Sequence, residues 1–257
     1  MITSLHNERV KFVRALSLRK TRQKEGRFFI EGARLIEDAL QAELRPDFVF
    51  FSHSAPDDDR RSVLLRRLAD LDVEAIEVGD EVMASCSDAE TPSGLLAVLP
   101  FPQLEVPAHP SLLLIVDALR DPGNLGTLLR SAAGANVDAA ILAPGTVDAY
   151  NPKVVRGAMG AHFRVPVLTE DWNAIATRVH GLDVWLAAAD AETIYTQVDW
   201  SRPCALIVGG ETEGTSERAS KLATGKAGIP LARGVESLNA GVAGSIFLFE
   251  IARQRGR

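Results

Sequence analysis

The chain has 257 residues, 46% apolar and 24% charged, with a formal net charge of −6, the balance of an ordinary globular protein long enough for a sizeable core. No window approaches the roughly 18 consecutive apolar residues of a membrane span, and the start alternates charge with apolar residues where a secretory leader needs an apolar run, so a cytoplasmic protein is expected. Cys86 and Cys204 lie far apart without a Cys or His neighbour at ligand spacing, which predicts buried free thiols and no metal site.

Along the chain, Asn7 to Arg22 places Val10, Val13, Leu16 and Leu18 near helical spacing and predicts one amphipathic helix with a basic outer face. From Met1 to Arg34 nine basic residues (Arg9, Lys11, Arg14, Arg19, Lys20, Arg22, Lys24, Arg27, Arg34) stand against three acidic ones (Glu8, Glu25, Glu31). Such a run suits RNA phosphates, although alone it is equally a solvated helix face. Gly26 should end the helix. Phe28–Ile30 then reads as a strand, Ala33–Ala42 as a helix, Phe48–Phe51 as a strand and Arg60–Asp70 as a helix, with further strands at Val73–Val78 and Leu95–Leu99. This is a small α/β domain over 1–99, with a basic helix in 1–24 leading in.

Residues 100–110 carry four prolines in eleven positions, too many for a helix or an internal strand, and form the expected linker. In 111–257, Leu112–Val116 is a continuous apolar run, followed by strands at Ala139–Leu142, Val184–Ala188 and Ala205–Val208. Strands apolar on both faces belong to a parallel sheet covered by helices.

Three segments of this second part could carry chemistry. After the first strand, Asp117-Ala118-Leu119-Arg120-Asp121-Pro122-Gly123-Asn124 turns into a helix with the stripe Leu125, Leu128, Leu129 and Ala132. Asn124 is the expected cap, and Arg130 falls off the stripe at the sheet's ligand-binding edge. Ile207-Val208-Gly209-Gly210-Glu211 ends a strand in a Gly-Gly turn that lets backbone approach a ligand. It is no phosphate cradle, because it is neither G-x-G-x-x-G nor a P-loop, and a nucleotide-dependent dehydrogenase would need a phosphate-binding glycine loop after the first strand, which Asp121-Pro122-Gly123-Asn124 is not. Finally, Gly228 to Ala243 joins a short strand, an irregular loop and a small-residue helix expected to start at Leu238. Continuing through Ile246, Phe247, Leu248, Phe249 and Ile251, that helix is apolar almost all round and should be buried on several sides. Between the first two segments, Asn151-Pro152 opens a helix that carries Lys153 and Arg156 as i, i+3 neighbours.

VDALRDPGNLGTLLRSAAGA, LIVGGETEGTS and IPLARGVESLNAGVA resemble, in order and separation, the three motifs of the SpoU (TrmH-like) branch of the SPOUT RNA ribose methyltransferases. YNPKVVRGAMGAHFRVPV is a further familiar segment, and FFIEGARLIEDAL with TPSGLLAV is similar to the family's N-terminal substrate-binding domain. The resemblance implies a C-terminal parallel-sheet α/β domain over 111–257 whose end is threaded into a trefoil knot, working as a homodimer with S-adenosylmethionine as cofactor. It implies cofactor contacts at Ala188, Gly209, Gly210, Glu211, Ile229, Leu231, Ser237, Leu238 and Asn239. Arg130 would act beside the partner subunit's cofactor, with Asn124, Ser237 and Asn239 orienting the reacting hydroxyl.

The RNA contacts expected with that reading are Arg9, Lys11, Arg14, Arg19, Lys20, Arg22, Arg34, Lys153 and Arg156. Family members with the extra N-terminal domain often act on large-subunit ribosomal RNA, which is the expected substrate, with transfer RNA as the alternative. A non-catalytic RNA-binding homologue is the reading from another class. Two positions depart from the motif, Leu231 for Met and Arg233 for Gly. The second costs strain if that glycine serves a positive φ, and offers an RNA phosphate contact in exchange.

Overall fold

In the computed structural model, which describes residues 1–52, 59–210 and 214–256, the predicted basic helix is two, α1 (Glu8–Ala15) and α2 (Arg19–Glu25). The break is held by Arg22, whose Nη1 donates to the carbonyls of Leu16 and Ser17 at 2.7 Å each. An interrupted helix frees carbonyls, and here a guanidinium satisfies them. Arg22 is only 2% exposed, so it leaves the set of cations expected to meet RNA. Gly26 ends α2 with φ +62°, a left-handed cap of the kind its position implied.

The first sheet runs in the order β1 (Arg27–Glu31), β4 (Leu95–Pro100), β2 (Phe48–Ser52) and β3 (Glu74–Val78). β4 is antiparallel to both neighbours, while β2 and β3 are parallel. Phe28, Ile30, Val49, Ala97 and Leu99 face α3 (Ala33–Gln41) and α4 (Asp59–Asp70). Phe29, Phe50, Leu96 and Val98 face the other way, toward α1 and α5 (Asp80–Cys86). Helices on both sides explain why β1, β2 and β4 are apolar through their centres, whereas β3, at the sheet edge, carries Glu74 and Glu77.

By contacts the chain divides into two units, one of Met1–Pro102 with Tyr150–Phe163 and one of Gln103–Ala149 with Arg164–Arg257. The inserted piece carries α7 (Pro152–Ala158), capped by Asn151, whose Oδ1 accepts the Lys153 N–H at 2.9 Å. Val155 and Phe163 join the Phe28 core. Tyr150 stacks on Phe101 at 4.0 Å and meets Phe28 edge-on at 5.1 Å.

The second unit is a parallel sheet ordered β10 (Gly225–Ala227), β8 (Asp183–Ala187), β9 (Cys204–Gly209), β5 (Leu112–Asp117), β6 (Ala139–Leu142) and β7 (Val167–Thr169). Every residue of β5 is buried. α8 (Trp172–Arg178) and α9 (Glu217–Leu222) cover the face that carries Leu113, Ile115, Ile141 and Ile207. α6 (Pro122–Gly134) and α10 (Ala240–Gln254) lie together on the other side, where Gly244 fits against Leu128 and Val208. Both cysteines are buried free thiols, and burial pushes the Cys204 thiol up to about 11. Among the described residues no helix is long and apolar enough to cross a membrane.

Candidate functional site

Strand order reverses beside β5, and ligands of open α/β sheets bind at carboxyl ends next to such a reversal. There the chain closes on itself at very short range. A Cβ at Gly210 would stand 2.6 Å from the Ala118 carbonyl oxygen, and one at Gly209 would stand 2.6 Å from Thr215 Cγ2 and 2.9 Å from the Gly214 backbone. Ala118 itself has φ +54°, so the turn after β5 is bent to let the second segment in. Asp117, 1% exposed, accepts the Ser216 N–H at 2.6 Å and ties the end of β5 to the start of α9.

A second wall follows β8. The Ala188 N–H donates to the Ala227 carbonyl at 3.0 Å, and a Cβ on Gly228 would meet the Ala188 carbonyl at 2.9 Å. The third wall is the segment from Ile229 to the start of α10. That helix begins at Ala240, two residues after the expected Leu238, because Asn239 is its cap: Oδ1 accepts the Val242 N–H at 3.1 Å. Asn239 Nδ2 also donates to Asn124 Oδ1 at 2.7 Å. Asn124 is therefore no cap. Asp121 caps α6, its Oδ1 accepting the Asn124 N–H at 2.7 Å, which places Asn124 in the first turn with its side chain turned to Asn239. The starts of α6 and α10 nearly touch, since a Cβ on Gly241 would meet the Asn124 carbonyl at 3.0 Å.

The three walls enclose a cavity of about 490 Å³. Ala188, Gly209, Gly210, Ile229, Leu231, Ser237, Leu238 and Asn239 all line it, and Glu211 lies outside the described residues. Sequence reading missed Asp190, Thr215 and Phe247 in the lining. Thr215 sits inside the second motif, and Asp190 is a carboxylate three residues beyond a strand end, so both left a trace in the sequence; Phe247, one apolar residue in an apolar helix, left none. Among the described residues the lining carries no Lys or Arg, which suits a ribose, a base or a cation and opposes a pyrophosphate. Arg130 is exposed on α6 and is not among the lining residues.

The expected RNA contacts gather on the first unit, Lys153 and Arg156 included. Arg9 pairs with Glu74 at 2.6 Å over the Phe48 ring, Lys11 with Glu8 at 2.8 Å and Arg156 with Asp88 at 3.2 Å. Arg14, Arg19, Lys20, Arg34 and Lys153 are exposed.

Comparison with known proteins agrees with this arrangement. The SpoU rRNA Methylase family model matches residues 111–249, and the MRM3-like substrate binding domain model matches residues 7–97. The mitochondrial rRNA methyltransferase 3 of Homo sapiens is 35% identical over an alignment of 306 positions, gaps included, covering 93% of this chain and 70% of that protein. The 23S rRNA (guanosine(2553)-2'-O)-methyltransferase RlmP of Bacillus subtilis (strain 168) is 31% identical, with 97% and 98% covered. A crystal structure of an AdoMet-bound rRNA methyltransferase from Sinorhizobium meliloti superposes with a TM-score of 0.85 at 27% identity, over 98% of this chain and 97% of that one. With both models in order along one chain, and the second and third expected motifs lining one cavity that the first packs behind, the protein belongs to the SpoU rRNA methylase family.

Proposed function

We propose that the protein transfers the methyl group of S-adenosylmethionine to a ribose 2′-hydroxyl of large-subunit ribosomal RNA. The observation that carries this is the meeting of the second and third motifs with the Ala187–Asp190 segment around one cavity, while the first motif packs behind it through Ala118 on Gly210 and Asn124 on Asn239. The cavity's chemistry fits the cofactor: small and apolar residues beside exposed backbone receive an adenosine, and the absence of basic lining groups suits a sulfonium. In this reading Ala188, Gly209, Gly210, Ile229, Leu231 and Leu238 hold it, with Glu211 closing the second motif.

Bound there, S-adenosylmethionine supplies a methyl group on a sulfonium, which is already a good leaving group. The protein's part is then to place a ribose oxygen in line, and alignment of this kind supplies about 7–11 kcal/mol in well-oriented systems. The Asn239–Asn124 bond and the α10 cap hold the Ser237–Asn239 segment in one place, so that Ser237 and Asn239 orient the hydroxyl. Arginine side chains keep their proton in proteins, so Arg130 is assigned the grip on the target nucleotide's phosphate, and the hydroxyl proton leaves to solvent.

Arg130 is exposed and outside its own cavity's lining, which supports its acting at the cavity of a second subunit. An unpartnered apolar face on α10, with Val242 45% and Phe249 51% exposed, supports the homodimer. The trefoil knot is part of the same reading; its support is the side-chain-free packing of Gly210 on Ala118, Gly241 on Asn124 and Gly244 on Val208. The first unit, which matches the MRM3-like substrate binding domain, selects the RNA, and the rRNA methyltransferases among the relatives support ribosomal over transfer RNA. We place the protein in the cytoplasm; its named relatives include a bacterial and a mitochondrial enzyme. Mapping 2′-O-methyl groups on ribosomal and transfer RNA from a deletion strain and its parent tests the assignment. One missing methyl in large-subunit RNA is expected, and an unchanged methyl map overturns the reading.

A further inference from the structure

The loop from Leu231 to Ser237 lines the cavity at its two ends and leaves it between them, where Ala232 to Glu236 are exposed. At its tip the Val235 N–H donates to the Ala232 carbonyl at 3.3 Å, and the two residues enclosed, Arg233 and Gly234, have φ of +59° and +74°. Positive φ at both central positions is the signature of a type I′ turn, which is ordinarily built from Gly, Asn or Asp. Gly234 meets that demand freely and Arg233 meets it under strain. No packing compensates, because Arg233 is exposed. Strain without an internal return is expected where the side chain serves something outside the chain.

Charge accounting singles out the same residue. In the second unit Arg178 lies against Glu170, Arg202 against Asp183, Lys221 against Glu217, Lys226 against Asp190 and Arg253 against Glu250. Arg255 donates to the carbonyls of Ser111, Trp200 and Arg202. Among the described residues Arg130, Arg218 and Arg233 have no such partner. Of these, Arg233 alone lies within the stretch from Leu231 to Asn239 whose ends line the cavity. We infer that Arg233 is a substrate-binding residue whose guanidinium holds a backbone phosphate of the RNA beside the nucleotide entering the cavity, with the planar fork that suits phosphate oxygens. This rests on the functional reading above. It adds a cation that the family motif, with glycine at this position, does not require.

The test uses the full-length protein, S-adenosylmethionine and ribosomal RNA, with Arg233→Gly and Arg233→Lys. Glycine removes strain and charge together, so a higher Tm is expected with unchanged cofactor affinity, a KM for RNA raised about tenfold and a slope of log K against log salt shallower by about 0.7–0.9. Lysine retains the charge and the strain, so it keeps the wild-type salt slope and Tm with a smaller rise in KM. Unchanged KM and salt slope in Arg233→Gly overturn the inference. So does weakened cofactor binding at unchanged RNA affinity, which would assign the guanidinium to the cofactor's carboxylate. Wild-type protein that methylates no ribosomal RNA removes the functional reading as well, whereas wild-type activity beside an unaffected Arg233→Gly removes this inference alone.

Discussion

At Gly210 one missing carbon decides whether the cavity can form. The nearest neighbour of an added Cβ is the Ala118 backbone oxygen at 2.6 Å, which cannot swing aside as a side chain can. Gly210→Ala is expected to cost about 1–3 kcal/mol of stability by overpacking and to abolish cofactor binding measured by titration calorimetry. Arg130→Lys is the opposite case, because it leaves the cavity lining untouched and moves only a proposed phosphate grip. Cofactor affinity should hold while turnover with saturating RNA falls about 10²-fold, the cost of a small misplacement; near-wild-type turnover removes the grip from Arg130. At this scale Gly209 and Gly210 were legible, since backbone approach demands them, whereas Asn239 as a cap was hidden inside a helix expected to start at Leu238. Asn124 was not, because Asp121 three residues earlier is an equally good cap and Pro122 fixes the first helical position after it. Arg22 was misread because a charged residue in a charged run gives no sign that two freed carbonyls will claim it.

At the scale of elements, strands buried on both faces could be read directly from apolar runs such as Leu112–Val116, whereas helix ends depended on local hydrogen bonds that spacing does not encode. α5 went unseen because its seven residues carry too short a pattern to stand out. α10 was expected to be covered on several sides. Gly241, Gly244, Phe247, Leu248 and Ile251 are indeed buried within the unit, while Val242 and Phe249 remain open. A helix that buries Phe247, Leu248 and Ile251 on one side and leaves Val242 and Phe249 open on another has two apolar packing surfaces. Phe249→Glu should therefore give a monomer by light scattering, with little change in the far-ultraviolet spectrum and a large loss of methyl transfer. Retention of a dimer by that variant excludes α10 from the subunit interface.

For the whole molecule, a net charge of −6 conceals a basic leading segment, Met1–Arg34, and an acidic remainder. Nucleic-acid affinity follows local cation density, so the exposed, unbridged Arg14, Arg19 and Lys20 should dominate RNA capture. Replacing all three with Glu is expected to weaken ribosomal RNA binding at least tenfold and flatten its salt dependence, leaving cofactor affinity unchanged; equal RNA affinity would move the contact surface elsewhere. The two-part organisation was legible from the proline-rich stretch 100–110. The membership of 150–163 was not, since nothing in Tyr150 or Phe163 announces that their neighbours lie in the N-terminal sheet, as far upstream as Phe28. That interleaving makes the N-terminal unit impossible to excise by a single cut. A fragment ending in the proline-rich stretch loses the Tyr150 ring from Phe28 and Phe101, and with it Val155 and Phe163 from the same core. A protease nick there leaves the downstream piece still inserted in the upstream one, so the two pieces should migrate together until denatured, and the first unit cannot be exchanged among relatives as a simple N-terminal cassette.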